Sequence, residues 1–323
     1  MADRPSIPSG ILREVRQRCG FGCVICGCPV YEYDHIVEWS KTKHHKAEEL
    51  TLLCSQHHAE KTKKILPVQM VKEANANPYN ISEGVSGPQT LYYSGSSFKL
   101  KLGDSVSTYT GLQDGQTFFP FVIDGKPIVS FTNDGGNIFL NVEIRDEDGQ
   151  VIFQVEKSEL TYCTGLWDVE WVGQVLTIRE KLRKILLEIE FNPPNQVSIN
   201  RGSLHFNGVE IEIGKDYIYC LNNQCFLGSC QVHGAGYGFA IGDPVPKGGS
   251  GIVFSGVPRP VPDREGAKQH LRRTIKENRD QQAERRERER QERLKDKDYQ
   301  PQTLLARLKS SAAPIAYMAM GVI

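Results

Sequence analysis

Two short pairs of potential metal ligands open the chain's chemistry. Cys23-Val-Ile-Cys26 is followed by Cys54-Ser-Gln-His57. Each spacing brings two ligand atoms onto one turn of chain, and two such pairs can close a tetrahedron of thiolates and imidazole around Zn²⁺. A lone Cys-x-x-Cys says little, but two pairs bracketing a histidine-rich segment point to metal. Four protein ligands fill the coordination sphere, so the expected zinc is structural. It would tie together a segment too small to be held by its own core. Cys19 and Cys28 are rival ligands at less usual spacings. Between the pairs, Tyr31-Glu-Tyr-Asp34-His35-Ile36 reads as a strand that delivers Asp34 and His35 to a site. A polar loop from Glu38 to Lys46 follows, then Glu48-Glu49-Leu-Thr-Leu-Leu-Cys54, then a helix from Ser55 to Lys64.

Taken together, Cys23-x-x-Cys26, Asp34-His35, the Glu48-to-Cys54 approach and Cys54-x-x-His57-His58-x-x-Lys61 resemble the HNH (ββα-metal) endonucleases in their zinc-stapled variant. The resemblance covers about a fifth of the chain, chiefly residues 13–64. It implies that His35 is the general base, since an imidazole can accept a proton from water at neutral pH. It implies that Asp34 and His58 hold a catalytic divalent ion, Mg²⁺ or Mn²⁺, which stabilises charge on the scissile phosphate. Adjacent helical residues point about 100° apart, so His57 can face the zinc while His58 faces the second cation. Lys61, Lys63 and Lys64 are then candidates for holding phosphates. The chain departs from the family at Glu49, where the motif has its asparagine. A glutamate there could accept backbone hydrogen bonds or reach the cation, or it could mark a degenerate site. His44 and His45 are expected to be solvated loop residues, and His205 and His233 receive no role.

The elements that must position these groups form a mixed α+β chain: a small ββα module, an all-β domain and a charged C-terminal helix. Ile11, Leu12 and Val15 share one face of a short helix starting after Ser9. Residues 1–80 form the HNH module with its zinc, and a Pro/Asn/Gly/Ser-rich stretch from Asn75 to Pro88 reads as a linker. Residues 89–258 carry alternating runs, such as Phe98–Leu102, Phe118–Ile123, Ile138–Ile144, Val151–Val155, Ile185–Phe191, Leu204–Ile213, Tyr217–Cys220 and Tyr237–Ile241. Asp-Gly pairs at 114–115, 124–125, 134–135 and 148–149 are hairpin signals, because both turn residues need positive φ. A sandwich, a barrel and a β-roll all fit this pattern. Residues 263–298 interleave acids and bases in a way that suits a solvated helix supported by i,i+4 ion pairs. The apolar end, 299–323, is expected to dock on a core or an oligomer interface.

Composition narrows the function further. The 39 Lys+Arg residues balance 39 Asp+Glu residues, so a uniformly basic nucleic-acid coat is excluded and any such surface is local. Five of the nine cysteines lie before residue 55, among five of the eight histidines. With a polar start, Met1 to Pro8, that lacks the apolar run of an export signal, this clustering favours metal over disulfides and a cytoplasmic setting. No apolar run approaches the roughly 20 residues of a membrane span. The expected activity is therefore metal-dependent hydrolysis of DNA phosphodiesters, and the habits of bacterial family members with appended domains point to phage defence. The alternative is a zinc-dependent nucleic-acid-binding protein without catalysis, whose β domain acts as a sensor or assembles homo-oligomers.

Overall fold

The computed structural model describes residues 5–234, 236–244 and 251–295. The expected docking segment 299–323 lies outside these residues. Among the described residues, the chain clusters into two units that divide after Lys268.

Helix α1 (Ser9–Arg18) starts behind Pro8, whose carbonyl accepts from the Leu12 amide at 3.0 Å. Its apolar face buries Val15 completely. Gly20 and Phe21 both adopt positive φ and turn the chain into the Cys23–Cys28 knuckle. Strand β1 (Glu32–His35) is followed by the short helix α2 (Trp39–Thr42) and a 3₁₀ turn at Ala47–Glu49. Strand β2 (Leu50–Leu53) then returns antiparallel to β1, pairing Asp34 with Thr51 and His35 with Leu50. All four residues of β2 are buried, so this strand is the floor of the small apolar cluster. Helix α3 (Ser55–Thr62) leaves the end of β2 with Cys54 at its N-cap.

The stretch from Asn75 to Pro88, expected as a linker, is folded and packed. Helix α4 (Val68–Ala76) runs into it and helix α5 (Tyr79–Glu83) lies within it. Fully buried Asn80 donates to the Gly20 carbonyl at 2.8 Å and accepts from the Gly87 amide at 3.1 Å. A side chain at Gly27 would place its Cβ 2.2 Å from Asn80 Oδ1, so glycine is required there. Composition suggested a linker because Pro, Asn and Gly also build tight, hydrogen-bonded packing.

The β region is two sheets over one continuous apolar core. One sheet has eight strands, ordered 252–254, 237–241, 117–123, 126–134, 137–145, 151–156, 159–162 and 89–90. The other has ten; its meander runs from 168–172 to 225–227, and strand 97–102 joins it by parallel pairing with 196–206. The Asp124–Gly125 pair turns between strands 117–123 and 126–134 with both residues at positive φ, as a type I′ turn requires. Lys157–Ser158 makes the same kind of turn with no glycine at all. The run Leu204–Ile213 is two strands folded back at Asn207–Gly208.

The knuckle and the β region belong to the same unit. Buried Arg16 makes a two-point contact with the Asp168 carboxylate, at 2.9 Å on each side, and donates to Tyr33 Oη at 2.9 Å and to Glu170 at 2.7 Å. Arg179 closes on the same Asp168 at 3.0 Å. The Tyr162 hydroxyl donates to the Phe21 carbonyl at 2.6 Å.

Helix α6 (Arg264–Lys295) begins with Asp263 accepting from the Gly266 amide at 2.9 Å. Its charges pair along the helix, as in Arg285–Glu289 at 2.8 Å. No helix among the described residues is long and apolar enough to cross a membrane.

Candidate metal centre and adjoining cleft

Four side chains from two elements meet behind β2. Cys23 and Cys26 come from the knuckle after α1, Cys54 from the N-cap of α3 and His57 from its first turn. Their ligand atoms all lie within 4.8 Å of one another. His57 Nδ1 is 3.4 Å from Cys23 Sγ and 3.2 Å from Cys54 Sγ, and Cys26 Sγ is 3.8 Å from Cys54 Sγ. Tetrahedral bonds of zinc's usual length would set sulfur–sulfur and sulfur–nitrogen separations near ~3.8 Å and ~3.5 Å. The donor set and its spacing therefore fit a metal ion such as zinc. A hydrogen bond between the two thiols lowers the pKa of Cys23 and raises that of Cys26.

The rival cysteines turn elsewhere. Cys19 is fully buried with its thiol 3.6 Å from Asn75 Oδ1, and burial pushes its pKa up. Cys28 points to Val30 O and Gln89 Oε1, each at 3.5 Å. Among the described residues, no other group of three or more such side chains comes as close.

On the next face of α3 lies a cleft of about 490 Å³, whose lining includes Asp34, His35, Trp39, His58, Lys61 and Lys64. Asp34 and His35 are both buried, at 9% and 4% exposure. His58 stands between two carboxylates, with Nε2 3.4 Å from Asp34 Oδ1 and Nδ1 3.3 Å from Glu32 Oε2. His57 lies in the Cys/His cluster and His58 lines the cleft, as their helical offset allows.

Lys61, expected as a phosphate ligand, lines the cleft with its charge already paired. Its ammonium is committed to the Asp34 carboxylate and the His35 carbonyl, and its side chain is 8% exposed. The positive charge compensates the buried Asp34 carboxylate. Lys64, at positive φ just beyond α3, lines the cleft, whereas Lys63 is exposed outside its lining.

Glu49 also lies outside the cleft lining. Its carboxylate sits 2.8 Å from His44 Nε2 and 3.8 Å from Lys46 Nζ, and its carbonyl accepts from the Ile36 amide at 2.9 Å. It thus ties the 38–46 loop to the strand pair. His44 and His45, expected as solvated loop residues, are both engaged. His45 Nδ1 is 3.3 Å from His35 Nε2, its other nitrogen donates to the Pro5 carbonyl at 2.9 Å, and its ring stacks on Trp39. Glu32, Trp39 and His45 are the site residues that sequence reasoning missed. Histidines in a loop beside Asp-His were the available signal, but their partners come from other segments.

No family model matches this chain, and neither the curated proteins nor the solved structures compared with it give a match.

Proposed function

We propose that residues 19–64 are an HNH-type (ββα-metal) nuclease module with a structural zinc, and that the protein hydrolyses DNA phosphodiester bonds. One observation carries this reading: the β1–β2 pair and α3 present His57 to a three-cysteine cluster and His58 to Asp34, with His35 in the same cleft. Cys23, Cys26, Cys54 and His57 hold the zinc, which fixes the start of α3 against the knuckle. Asp34 and His58 supply a carboxylate oxygen and an imidazole nitrogen 3.4 Å apart. Two neighbouring ligands of an octahedral Mg²⁺ would stand about 3 Å apart, so this pair suits such a cation, or Mn²⁺. A divalent ion there would stabilise negative charge on the phosphate and the leaving oxygen. His35 takes a proton from the attacking water. Glu49 orders the loop in place of the family's asparagine. Bacterial phage defence is the setting this reading suggests.

The test is nicking of supercoiled plasmid with Mg²⁺, Mn²⁺ or Ni²⁺ added. His35→Ala is expected to lower the rate at least about a hundredfold. Equal activity or equal inertness of the two proteins would overturn the mechanism. A second reading, a zinc-dependent DNA-binding protein without cleavage, is favoured by the Lys61 ammonium on Asp34. It expects salt-sensitive DNA binding, unchanged by His35→Ala, and no nicking.

A further inference from the structure

Several hairpin tips of the β region are acidic. Those at Asp124–Gly125, Asp134–Gly136 and Asp148–Gly149 carry aspartates, and Lys157–Ser158 is flanked by Glu156 and Glu159. The tip between strands 175–181 and 184–192 is the reverse. Lys181-Leu182-Arg183-Lys184 holds three cations and no acid. All four residues are exposed, Leu182 at 58%. Lys184 pairs with Glu180, but Lys181 and Arg183 form no ion pair among the described residues.

Folding alone does not account for this tip. Arg183 sits at φ 64°, a conformation that glycine takes without strain. Lys181 and Lys184 stand directly opposite each other in the ladder, where like charges repel. Leu182 stands in water between them. An anionic partner with room for one apolar side chain would relieve both costs. The base of the hairpin, by contrast, is fixed. Arg179 closes on Asp168 at 3.0 Å and on Glu170 at 2.9 Å. The same two carboxylates hold Arg16, which also reaches Tyr33 in the cleft lining. One ion-pair network thus joins the hairpin to the strand that carries Asp34 and His35.

We propose that the 181–184 tip is a DNA-binding element: Leu182 wedges into the minor groove of a duplex while Lys181 and Arg183 hold the flanking phosphates. DNA as the partner accords with the reading of the cleft, but the contact needs no cleavage. The chemistry selects a duplex over the other anionic surface a cationic tip could meet. The minor groove attracts Lys and Arg, and a base step accepts a single apolar wedge. A bilayer holds a chain only through larger apolar area or a second anchor, and one leucine supplies neither. With 39 basic residues balanced by 39 acidic ones, a nucleic-acid surface on this chain has to be local, and three cations in four residues make one.

The experiment is fluorescence anisotropy of a short labelled duplex with the full-length, zinc-loaded protein, over a range of salt and without added divalent ions. Lys181→Gln combined with Arg183→Gln is expected to weaken binding about tenfold and to lower the salt slope by about two. Leu182→Ser is expected to weaken binding several-fold at an unchanged slope. It should also abolish the kink that the wild type puts into the duplex, read by energy transfer between the duplex ends. Lys157→Gln, at the acid-flanked tip, should change neither quantity. No duplex binding by the wild type, or an affinity and salt slope unchanged in the doubly substituted protein, overturns the proposal. So does a Leu182→Ser protein that binds and kinks the duplex as the wild type does. Loss of binding to phosphatidylserine vesicles in these variants, with duplex binding intact, overturns it in favour of a membrane. If Leu182→Ser does not fold, the charge variant still decides. The expected losses in a protein that never nicks plasmid uphold the tip contact and defeat the nuclease reading instead.

Discussion

The two halves of the first unit are held together by different physics. The β region buries a continuous core drawn from both of its sheets, with Phe98, Phe121, Phe131, Phe153 and Phe239 fully enclosed. The N-terminal module has a cluster of eleven buried residues, and two of these, Cys23 and Cys54, belong to the metal centre. A core that small gives little stability by itself, and a metal ion held by the Cys/His cluster would contribute what area cannot. The contrast also separates roles. The candidate site residues lie on the side of the Cys/His cluster, while the β region offers a surface against which α1 and β1 are braced through Arg16, Asp168 and Tyr33.

Metal removal should break this comparison open most widely. Structural zinc in small domains contributes on the order of 10 kcal/mol of apparent folding free energy. A strong chelator is therefore expected to abolish amide-exchange protection in residues 9–83 while strands 117–145 and 175–213 keep theirs. Uniform loss across both regions, or no loss in either, would contradict the division.

The junction comes next. Arg16→Met leaves buried Asp168 facing only Arg179 and the more distant Arg13. Removing one partner of a buried ion pair costs about 3 kcal/mol, to be read from denaturant unfolding of the whole unit. The paired change Arg16→Met with Asp168→Leu should cost less than Arg16→Met alone. If the double variant is the less stable of the two, the buried charge is not what Arg16 serves.

Lys61→Met tests the cleft at a smaller scale. Loss of its ammonium leaves the Asp34 carboxylate buried without that cation and is expected to destabilise the module by about 2 kcal/mol. Added Mn²⁺ should raise the variant's melting temperature more than the wild type's, because the cation would take over the compensating charge. Equal Mn²⁺ effects on the two proteins would speak against a cation at Asp34.

The smallest effect belongs to the β region. Burial pushes the His205 pKa below its ordinary 6.5, against the opposing pull of Glu210 and Glu147. The folded state thus binds this proton less readily than the unfolded one. The corresponding stability is present above pH 6.5 and is lost as pH falls through the lowered folded value. His205→Gln should flatten the stability curve on the acid side of neutrality, measured by denaturant midpoints; an unchanged slope would remove His205 as its source.

What was legible in the sequence follows a pattern of distance along the chain. The metal ligands could be read because each pair sits within one turn, and His57 and His58 could be parted because helical geometry fixes their offset. The mixed α+β class and many strands were readable from alternation, and the Asp124–Gly125 turn from its chemistry. The strand at 126–134 was missed, as was the turn at Lys157–Ser158, which carries no glycine to mark it. Contacts between distant segments were out of reach. Arg16 and Asp168 are 152 residues apart, and His45 acquires its place from Pro5 and Trp39. The charge of Lys61 was readable, but its partners, Asp34 and the His35 carbonyl, were not. Asn80 looked like part of a linker for the same reason.

The most direct measurement is zinc content and plasmid nicking on one preparation of the full-length protein, wild type beside His35→Ala. Expected is one zinc per chain in both, with Mn²⁺-supported nicking by the wild type and its loss in the variant. One zinc per chain with no nicking by either, under any of the divalent ions, would contradict a nuclease while leaving the metal centre intact.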